Sequence, residues 1–322
     1  MSFTLYLASM DDSSICQWFY DKKVPLLYSQ INNRTQLLKT FELPKHGKLL
    51  VDSGAHSAHT KGIKLDLEEY INFANEHADD YSLYVQVDKI PGIYHKPKTQ
   101  KDWLEAPQLS WENYKYMRSK SKAPDKLIPV FHQGEDFKWL KNMCDYEFED
   151  GKHIPYIGLS PRGDVSLVAK YDFCASCYSV IQASKNPNVC THLFGATSLS
   201  MLERLPATSA DSTTWVLVSA FGQVWVPNDI IGTNSIDDTV GVKLGISTEN
   251  ISHPTATQTY WEQPKSIQRK LDDYFESIGT NAEKLSKSHS ERALASAKFC
   301  QKWADDYVYK GLDSFVKVKK LF

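Results

Sequence analysis

The chain has 322 residues, of which 42% are hydrophobic and 24% are charged, which is enough apolar content for one large globular α/β domain or two smaller ones. Its 37 basic and 39 acidic side chains leave a formal net charge of -2, so any binding to nucleic acid requires a local basic surface. No stretch approaches the roughly 18 uninterrupted apolar residues of a membrane span. Six scattered cysteines and the absence of a secretory signal favour the cytoplasm.

Short apolar runs predict the strands of a parallel sheet. Several runs are continuous rather than alternating, as in parallel strands that are covered on both faces. The predicted strands are Thr4–Ala8, Leu49–Asp52, Ser82–Val87, Leu127–Phe131, Ile154–Leu159, Thr191–Phe194 and a run that enters Asp211 and can continue through Trp215–Val218.

Helical patterns separate these runs. Asp66 opens an Asp-x-x-Glu pattern typical of a helix start, and Leu67, Tyr70, Ile71 and Ala74 then share one face. Further helices are predicted around 110–120, 136–145, 164–183 and 198–204. Because strand, loop and helix repeat six or seven times before residue 220, the sequence predicts an α/β fold, a (β/α)8 TIM barrel.

The alternation of predicted strands and helices changes after Asp211. The segments 222–226 and 240–246 predict a strand pair inserted late in the barrel, at about 221–260, and helical spacing predicts closing helices at about 264–311. No repeat and no linker interrupts the chain, so we expect a single domain over residues 1–322. The sequence leaves three roles for this insertion undecided: binding DNA, covering the pocket or forming an interface.

Two aspartates are the strongest candidates for chemistry. Asp52 in LLVDSGAHSAH and Asp211 in TSADSTTWV each end an apolar run and precede a serine. In a barrel the carboxyl ends of all strands share one mouth, where catalytic side chains lie. One carboxylate that attacks an anomeric carbon and one that moves a proton suffice to break a glycosidic bond with retention. The alternative is that each aspartate caps the following helix.

The order of the segments VDSGAHS, QVDKIPG, PVFHQGE, YIGLSP, HLFGATS and ADSTTW resembles the tRNA-guanine transglycosylase superfamily, most closely its DNA-acting relatives that exchange guanine for a 7-deazaguanine. The resemblance covers residues 49 to about 215. It implies that Asp52 is the general acid/base and Asp211 the nucleophile at C1′ of the sugar. It further implies a set of residues that bind the base: Ser53, Gly54, His56, Asp88, His132, Gln133, Gly134, Gly158, Leu159 and Gly195.

The resemblance implies a reaction and its partners. The chain would replace guanine in DNA with a free 7-deazaguanine similar to 7-cyano-7-deazaguanine (preQ0), through a covalent aspartate–sugar intermediate and without a cofactor. The target guanine must leave the base stack. Arg162 in SPRGD is a candidate for holding the flanking phosphates, with an ordinary turn as the alternative. The resemblance to this family also allows a homodimer and, for a phage-encoded protein, a location in the host cytoplasm.

The chain departs from the family at two places. His56 stands where a larger aromatic residue commonly stacks on the base. The zinc site of the tRNA-acting members, three cysteines and a histidine after the nucleophile, cannot be assembled because Cys300 is the only cysteine beyond Asp211. We therefore expect no metal, and we interpret Cys174 and Cys177 as buried thiols rather than half of a zinc site.

Three alternatives remain open at this point. The first is the same chemistry on tRNA, and the second is a non-catalytic binding subunit of the same superfamily. The third is an ordinary barrel glycosidase that acts on sugars.

Overall fold

The computed structural model describes residues 3–43, 46–195, 198–232, 240–249 and 258–311. Parallel strands form its central sheet, and they are β1 (Thr4–Ala8), β2 (Leu26–Ser29), β3 (Leu49–Asp52), β4 (Leu83–Val85), β5 (Leu127–Ile128), β6 (Val130–His132), β7 (Tyr156–Ser160), β8 (Cys190–Leu193) and β9 (Ser209–Ser212). Within the sheet the strands follow the order β5-β4-β3-β2-β1-β9-β8-β7-β6. The two ends of this series are thus neighbours in sequence.

The sheet closes at Pro129, which separates β5 from β6. β5 pairs with β4, whereas β6 pairs with β7, so one extended segment changes partner halfway along its length. Proline has no N–H to donate at this point, but its carbonyl still accepts a 2.8 Å hydrogen bond from Gly158. With β5 and β6 counted as one strand, eight parallel strands form a TIM-like barrel, as predicted.

Helices surround the barrel. They are α1 (Cys16–Asp21), α2 (Arg34–Phe41), α3 (Ala55–Lys61), α4 (Leu67–Glu76), α5 (Gln100–Lys120), α6 (Phe137–Asp145), α7 (Leu167–Gln182), α8 (Leu199–Leu202) and α9 (Thr214–Ala220). Asp66 caps α4 as predicted, since its side chain accepts a hydrogen bond from the backbone N–H of Glu69. The helix predicted at 110–120 begins earlier, because Thr99 and Asp102 form a capping box there.

Two sequence predictions differ from the structure. The strand β2 (Leu26–Ser29) was not expected. The segment Trp215–Val218 lies in α9 and does not continue β9. A short apolar run fits a buried helix as well as a strand, and here Trp215 packs inside the core with its indole N–H donating to the carbonyl of Ala8.

Side chains alternate between two apolar layers along each barrel strand. In β3, Leu49 and Val51 belong to the large cluster between sheet and helices, whereas Leu50 belongs to a small cluster with Tyr6, Val85 and other residues of neighbouring strands. The small cluster fills the barrel interior. By this alternation Asp52, the next residue after Val51, faces the interior at the carboxyl end of its strand.

A second, antiparallel sheet follows β9 instead of interrupting the barrel. It consists of β10 (Gln223–Pro227) and β11 (Gly241–Gly245), which are the predicted strand pair. The remaining helices are α10 (Asn228–Ile231), α11 (Lys265–Ser277), α12 (Ala282–Lys287) and α13 (His289–Asp305). Part of the predicted 221–260 segment, 233–239 and 250–257, lies outside the described residues. α13 packs against α9, β1 and β10, so it joins this sheet to the barrel.

Within the described ranges, none of the helices combines the length and the apolar character that crossing a bilayer demands.

Candidate active site

The closed barrel brings the predicted catalytic carboxylates to one mouth. Asp52 is the last residue of β3, and Asp211 is the last but one of β9. Asp88 follows β4 by three residues. The negative charges of Asp88 and Asp211 both raise the pKa of Asp52, so the three carboxylates act on one another electrostatically.

Asp211 is held through one of its two carboxylate oxygens. Oδ1 accepts a 2.9 Å hydrogen bond from the backbone N–H of Gly195 and lies 3.2 Å from Nε2 of His192. No group among the described residues hydrogen-bonds Oδ2. The residue is 8% exposed. One oxygen therefore fixes the carboxylate while the other remains open to a substrate atom.

His192 connects Asp211 to a chain of buried hydroxyl groups. Its Nδ1 lies 2.7 Å from Oγ of Ser209, which lies 2.8 Å from the hydroxyl of Tyr156. A neutral ring that donates from Nε2 to Asp211 would accept at Nδ1 from Ser209, and Ser209 would then accept from Tyr156. His192 is fully buried. The chain of hydrogen bonds fixes the ring, and the ring orients the carboxylate.

Asp52 has the electrostatic surroundings of a proton-transfer group. Burial and the charge of Asp88 raise its pKa, a hydrogen bond from the backbone N–H of Gly54 lowers it, and the charge of Asp211 raises it further, to about 7. That hydrogen bond joins the Gly54 nitrogen to Oδ2 at 2.9 Å. Near neutral pH the carboxyl group can thus give or take a proton, as general acid/base catalysis requires.

Gly54 is required by the backbone at this turn. Its φ is +79°, which L-residues with side chains rarely adopt. A Cβ atom there would lie 2.9 Å from both Ile31 and Oγ of Ser29. The DSG motif therefore combines the carboxylate with a glycine that allows the N–H to point back at it.

Both ring nitrogens of His132 have carboxylate partners, and its predicted contact with a base stays a prediction. Its Nε2 lies 2.9 Å from Oδ2 of Asp88, and its Nδ1 lies 3.2 Å from Oε1 of Glu135. Burial lowers the pKa of His132, but the hydrogen bonds and charges of the two carboxylates outweigh burial and raise it to about 10. The imidazolium uses both nitrogens to hold Asp88, whose Oδ1 has no hydrogen-bond partner among the described residues.

Gln133 and Gly134 support the loops around the mouth. The Gln133 side chain accepts a 2.9 Å hydrogen bond from the backbone N–H of Arg162 and donates one of 3.2 Å to the carbonyl of Ala169. Gly134 has a φ of +113°, and a Cβ atom there would lie 2.7 Å from the ring of Trp103. Gln133 thus fastens the loop after β7 to α7, and Gly134 makes room for an aromatic ring.

Gly158 and Leu159 lie farther from the mouth than the sequence suggested. The N–H of Gly158 is used by the sheet, and the ring of Phe194 covers its α-carbon, where a Cβ atom would lie 2.4 Å from Cε2. The Leu159 side chain is fully buried in the outer cluster, because it alternates with the inward-facing Gly158. The Gly158 N–H and the Leu159 side chain are thus used by the fold, and a role of the backbone around Gly158 and Leu159 in binding the base stays a prediction.

Phe194 and His192 are site residues that the sequence reasoning missed. The Phe194 ring is partly exposed, and its centroid lies 4.4 Å from that of His192. The two residues stand two positions apart in HLFGATS, which is the spacing of side chains on one face of a strand. This alternation, counted back from the mouth, is the signal that identifies them.

The remaining predicted residues differ in exposure. His56 is exposed in the first turn of α3, whereas Ser53 is 1% exposed and its hydroxyl has no partner among the described residues. Gly195 holds Asp211, as described above. Arg162 is exposed but already forms a bidentate ion pair with Asp164, at 2.9 and 2.6 Å, so a phosphate would have to compete for it.

The cysteine pair of α7 is buried. Cys174 and Cys177 are both fully enclosed, and burial raises the pKa of the Cys174 thiol to about 12. In the part of the chain that the structure describes, no group of three or more His, Cys, Asp or Glu side chains is arranged to hold a metal ion.

A cavity of about 480 Å³ lies at the opposite, amino-terminal end of the barrel. Phe3, Lys22 and Lys48 are among its lining residues, and neither Asp52 nor Asp211 reaches it. The amino-terminal face of such barrels serves stability, whereas their chemistry takes place at the carboxyl ends of the strands. The mouth therefore remains the candidate site.

Comparison with protein-family models finds no match, and comparison with curated proteins finds none either.

Proposed function

We propose that this chain is a base-exchange transglycosylase, which replaces guanine in DNA with a free 7-deazaguanine through a covalent bond between Asp211 and the sugar. The observation that carries the proposal is the pairing of two unlike carboxylates at one barrel mouth. Asp211 is fixed by His192 and Gly195 with one oxygen open, and the pKa of Asp52 is raised to about 7. These are the states that a nucleophile and an acid/base need.

In the first half of the reaction, Oδ2 of Asp211 forms a bond to C1′ while the C1′–N9 bond breaks. The electron pair of that bond leaves with guanine, which takes the proton of Asp52. In the second half, the carboxylate of Asp52 removes the N9 proton of the incoming 7-deazaguanine. The new N9 attacks C1′, and Asp211 leaves as a carboxylate. Two inversions at C1′ give net retention.

Asp88 and Phe194 supply the chemistry for holding the base. N1–H and N2–H of guanine are donors that a carboxylate accepts well, and Oδ1 of Asp88 has no other partner among the described residues. The ion pair with His132 holds Asp88 in place. The partly exposed ring of Phe194 offers a face on which a flat base can stack.

The experiment is a base-exchange assay with two nucleic acids in parallel. Purified protein is incubated with 7-cyano-7-deazaguanine and either duplex DNA or tRNA, and the nucleosides are then analysed by mass spectrometry. The deazaguanine nucleoside is expected from DNA. Its appearance from tRNA alone would assign the enzyme to tRNA, and its absence from both would contradict the proposal.

A variant series tests the roles of the carboxylates. Asp211→Asn should remain folded and form no covalent adduct with DNA, whereas wild-type protein should form one that survives denaturing electrophoresis. Asp164→Asn is the matched control, because it changes an exposed aspartate near the same mouth. An adduct on Asp211→Asn, or its loss in the control, would refute the assignment of the nucleophile.

A further inference from the structure

The loop between β4 and α5, residues 86–99, begins at the proposed site. Asp88 is part of it, and both of its ends are anchored. Near its start, the backbone N–H of Lys89 donates to Oγ of Ser110 at 2.8 Å. At its end, Thr99 caps α5. The loop is thus a defined projection from the rim of the barrel mouth.

The tip of this loop exposes apolar side chains. Ile93 is 62% exposed and Tyr94 is 44% exposed. The Tyr94 ring contacts histidines, with its centroid 3.9 Å from that of His95 and 6.2 Å from that of His59 in α3. The ring is therefore supported by neighbouring rings while part of its surface faces solvent beside the mouth.

Basic side chains gather around the same rings. Burial lowers the pKa of His59, and the positive charges of Lys98, His56 and Lys89 lower it further. The Lys98 ammonium lies 5.0 Å from the ring centroid of Trp103. Lys89 and Lys98 are both exposed on this loop. The carboxylates of Asp102 and Asp164 lie within electrostatic range of Lys89 and Lys98 respectively, so the cations are partly balanced.

The combination of an exposed aromatic ring with clustered cations fits an unpaired nucleic-acid strand better than a protein surface. Stacking of a base on an aromatic side chain is worth about 1–3 kcal/mol, and lysines beside the ring can neutralise the phosphates of the same strand. An enzyme that acts on a base must hold the strand next to the nucleotide that it has taken out of the stack.

We propose that the β4–α5 loop binds the DNA strand beside the target nucleotide, with Tyr94 stacked on an adjacent base and Lys89 and Lys98 paired with flanking phosphates. This inference rests on the proposed function for its substrate. It adds a strand-binding surface that lies outside the catalytic carboxylates.

The test measures binding, apart from turnover. Fluorescence anisotropy of a labelled, guanine-containing single-stranded DNA gives Kd for the full chain and for Tyr94→Ala. Tyr116→Ala is the matched control, since Tyr116 is 40% exposed on α5. Loss of one stacked base should raise Kd about 5-fold or more in Tyr94→Ala, with no change in the control. Equal Kd values for Tyr94→Ala and wild-type protein would overturn the proposal.

The salt dependence of the same binding tests the two lysines. Each phosphate contact to a single strand contributes about 0.7 to the slope of log K against log salt concentration. The double variant Lys89→Gln/Lys98→Gln should therefore lose about 1.4 from this slope, whereas Lys115→Gln/Lys120→Gln, which changes two exposed lysines of α5, should lose none. An unchanged slope in the first pair, or an equal loss in the second, would overturn the role of the lysines.

Two further outcomes separate this inference from the proposed function. If wild-type protein exchanges bases in DNA while Tyr94→Ala binds and reacts normally, the loop proposal fails and the function stands. If the loop variants weaken DNA binding but wild-type protein neither exchanges a base nor forms an adduct, the function fails and the loop proposal stands. If the loop variants lose affinity only for a labelled tRNA, the proposal that the loop binds DNA would be overturned.

Discussion

The raised pKa of Asp52 makes a prediction about stability that does not depend on any substrate. The pKa is about 7 in the folded chain against an ordinary value of 3.8. As the pH rises above 3.8, the unfolded chain loses this proton first, and its ionisation favours the unfolded state. The cost to folding grows until the folded carboxyl group also ionises near pH 7. Asp52→Asn cannot ionise, so this cost is absent from the variant.

The magnitude follows from the size of the shift. Each unit of pKa corresponds to about 1.4 kcal/mol, so the full cost is about 4 kcal/mol above pH 7. Between pH 5 and pH 8 the cost rises by about 2–3 kcal/mol. The free energy of unfolding of Asp52→Asn, minus that of wild-type protein, should therefore increase by this amount over the same interval.

Urea denaturation followed by tryptophan fluorescence at pH 5, 6, 7 and 8 measures this difference. Asp273→Asn is the control, because Asp273 is exposed on α11, and it should show no comparable trend. A difference between Asp52→Asn and wild-type protein that stays constant or falls as the pH rises would refute the reasoning. It would mean that Asp52 is solvated, and the argument for its acid/base role would fail with it.

Other perturbations test the remaining parts of the site. His192→Phe keeps a ring but removes the donor to Asp211. The kcat of base exchange should therefore fall about 10- to 100-fold, as for a lost hydrogen bond to a charged group, while the Kd for DNA stays unchanged. Equal kcat values for the variant and wild-type protein would contradict the positioning role of His192. Gly54→Ala should lower the melting temperature, at a cost of about 1–3 kcal/mol for a strained φ, and a stability equal to wild type would show that the turn relaxes. Because its pKa is raised from 6.5 to about 10, the protonated His132 ring stabilises the folded state fully below pH 6.5, and this stabilisation is lost as the pH rises towards 10. Glu135→Gln should lower the pKa of His132 in an NMR titration. An unchanged pKa would show that Glu135 does not stabilise the imidazolium.

The barrel was predictable because its signals are local and repeated. Continuous apolar runs at regular spacing predicted parallel strands, and that topology alone brings the strand ends bearing Asp52 and Asp211 to one mouth. The errors lie where the local signal is weak. The strand β2 was missed although β3, which is equally short, was predicted, and the apolar segment around Trp215 fits a helix and a strand equally well.

The roles of individual polar residues were harder to predict than their positions. A sequence places His132 at a strand end, but it does not show that Asp88 and Glu135 occupy both of its nitrogens. Leu159 shares a motif with Gly158, yet the two side chains face opposite layers. Such partners come from other strands, so they become visible only when the barrel is closed.

The helix α13 joins two segments that are nearly 300 positions apart in the sequence. This helix, His289–Asp305, packs against β1, and its Trp303 ring meets Phe3 edge-on at 5.7 Å. During synthesis the apolar surface of β1 beneath it therefore stays uncovered until residues 289–305 have left the ribosome. A nascent chain that stops before α13 leaves the apolar surface of β1 exposed. Intermediates with exposed apolar surface are prone to aggregate or to bind chaperones.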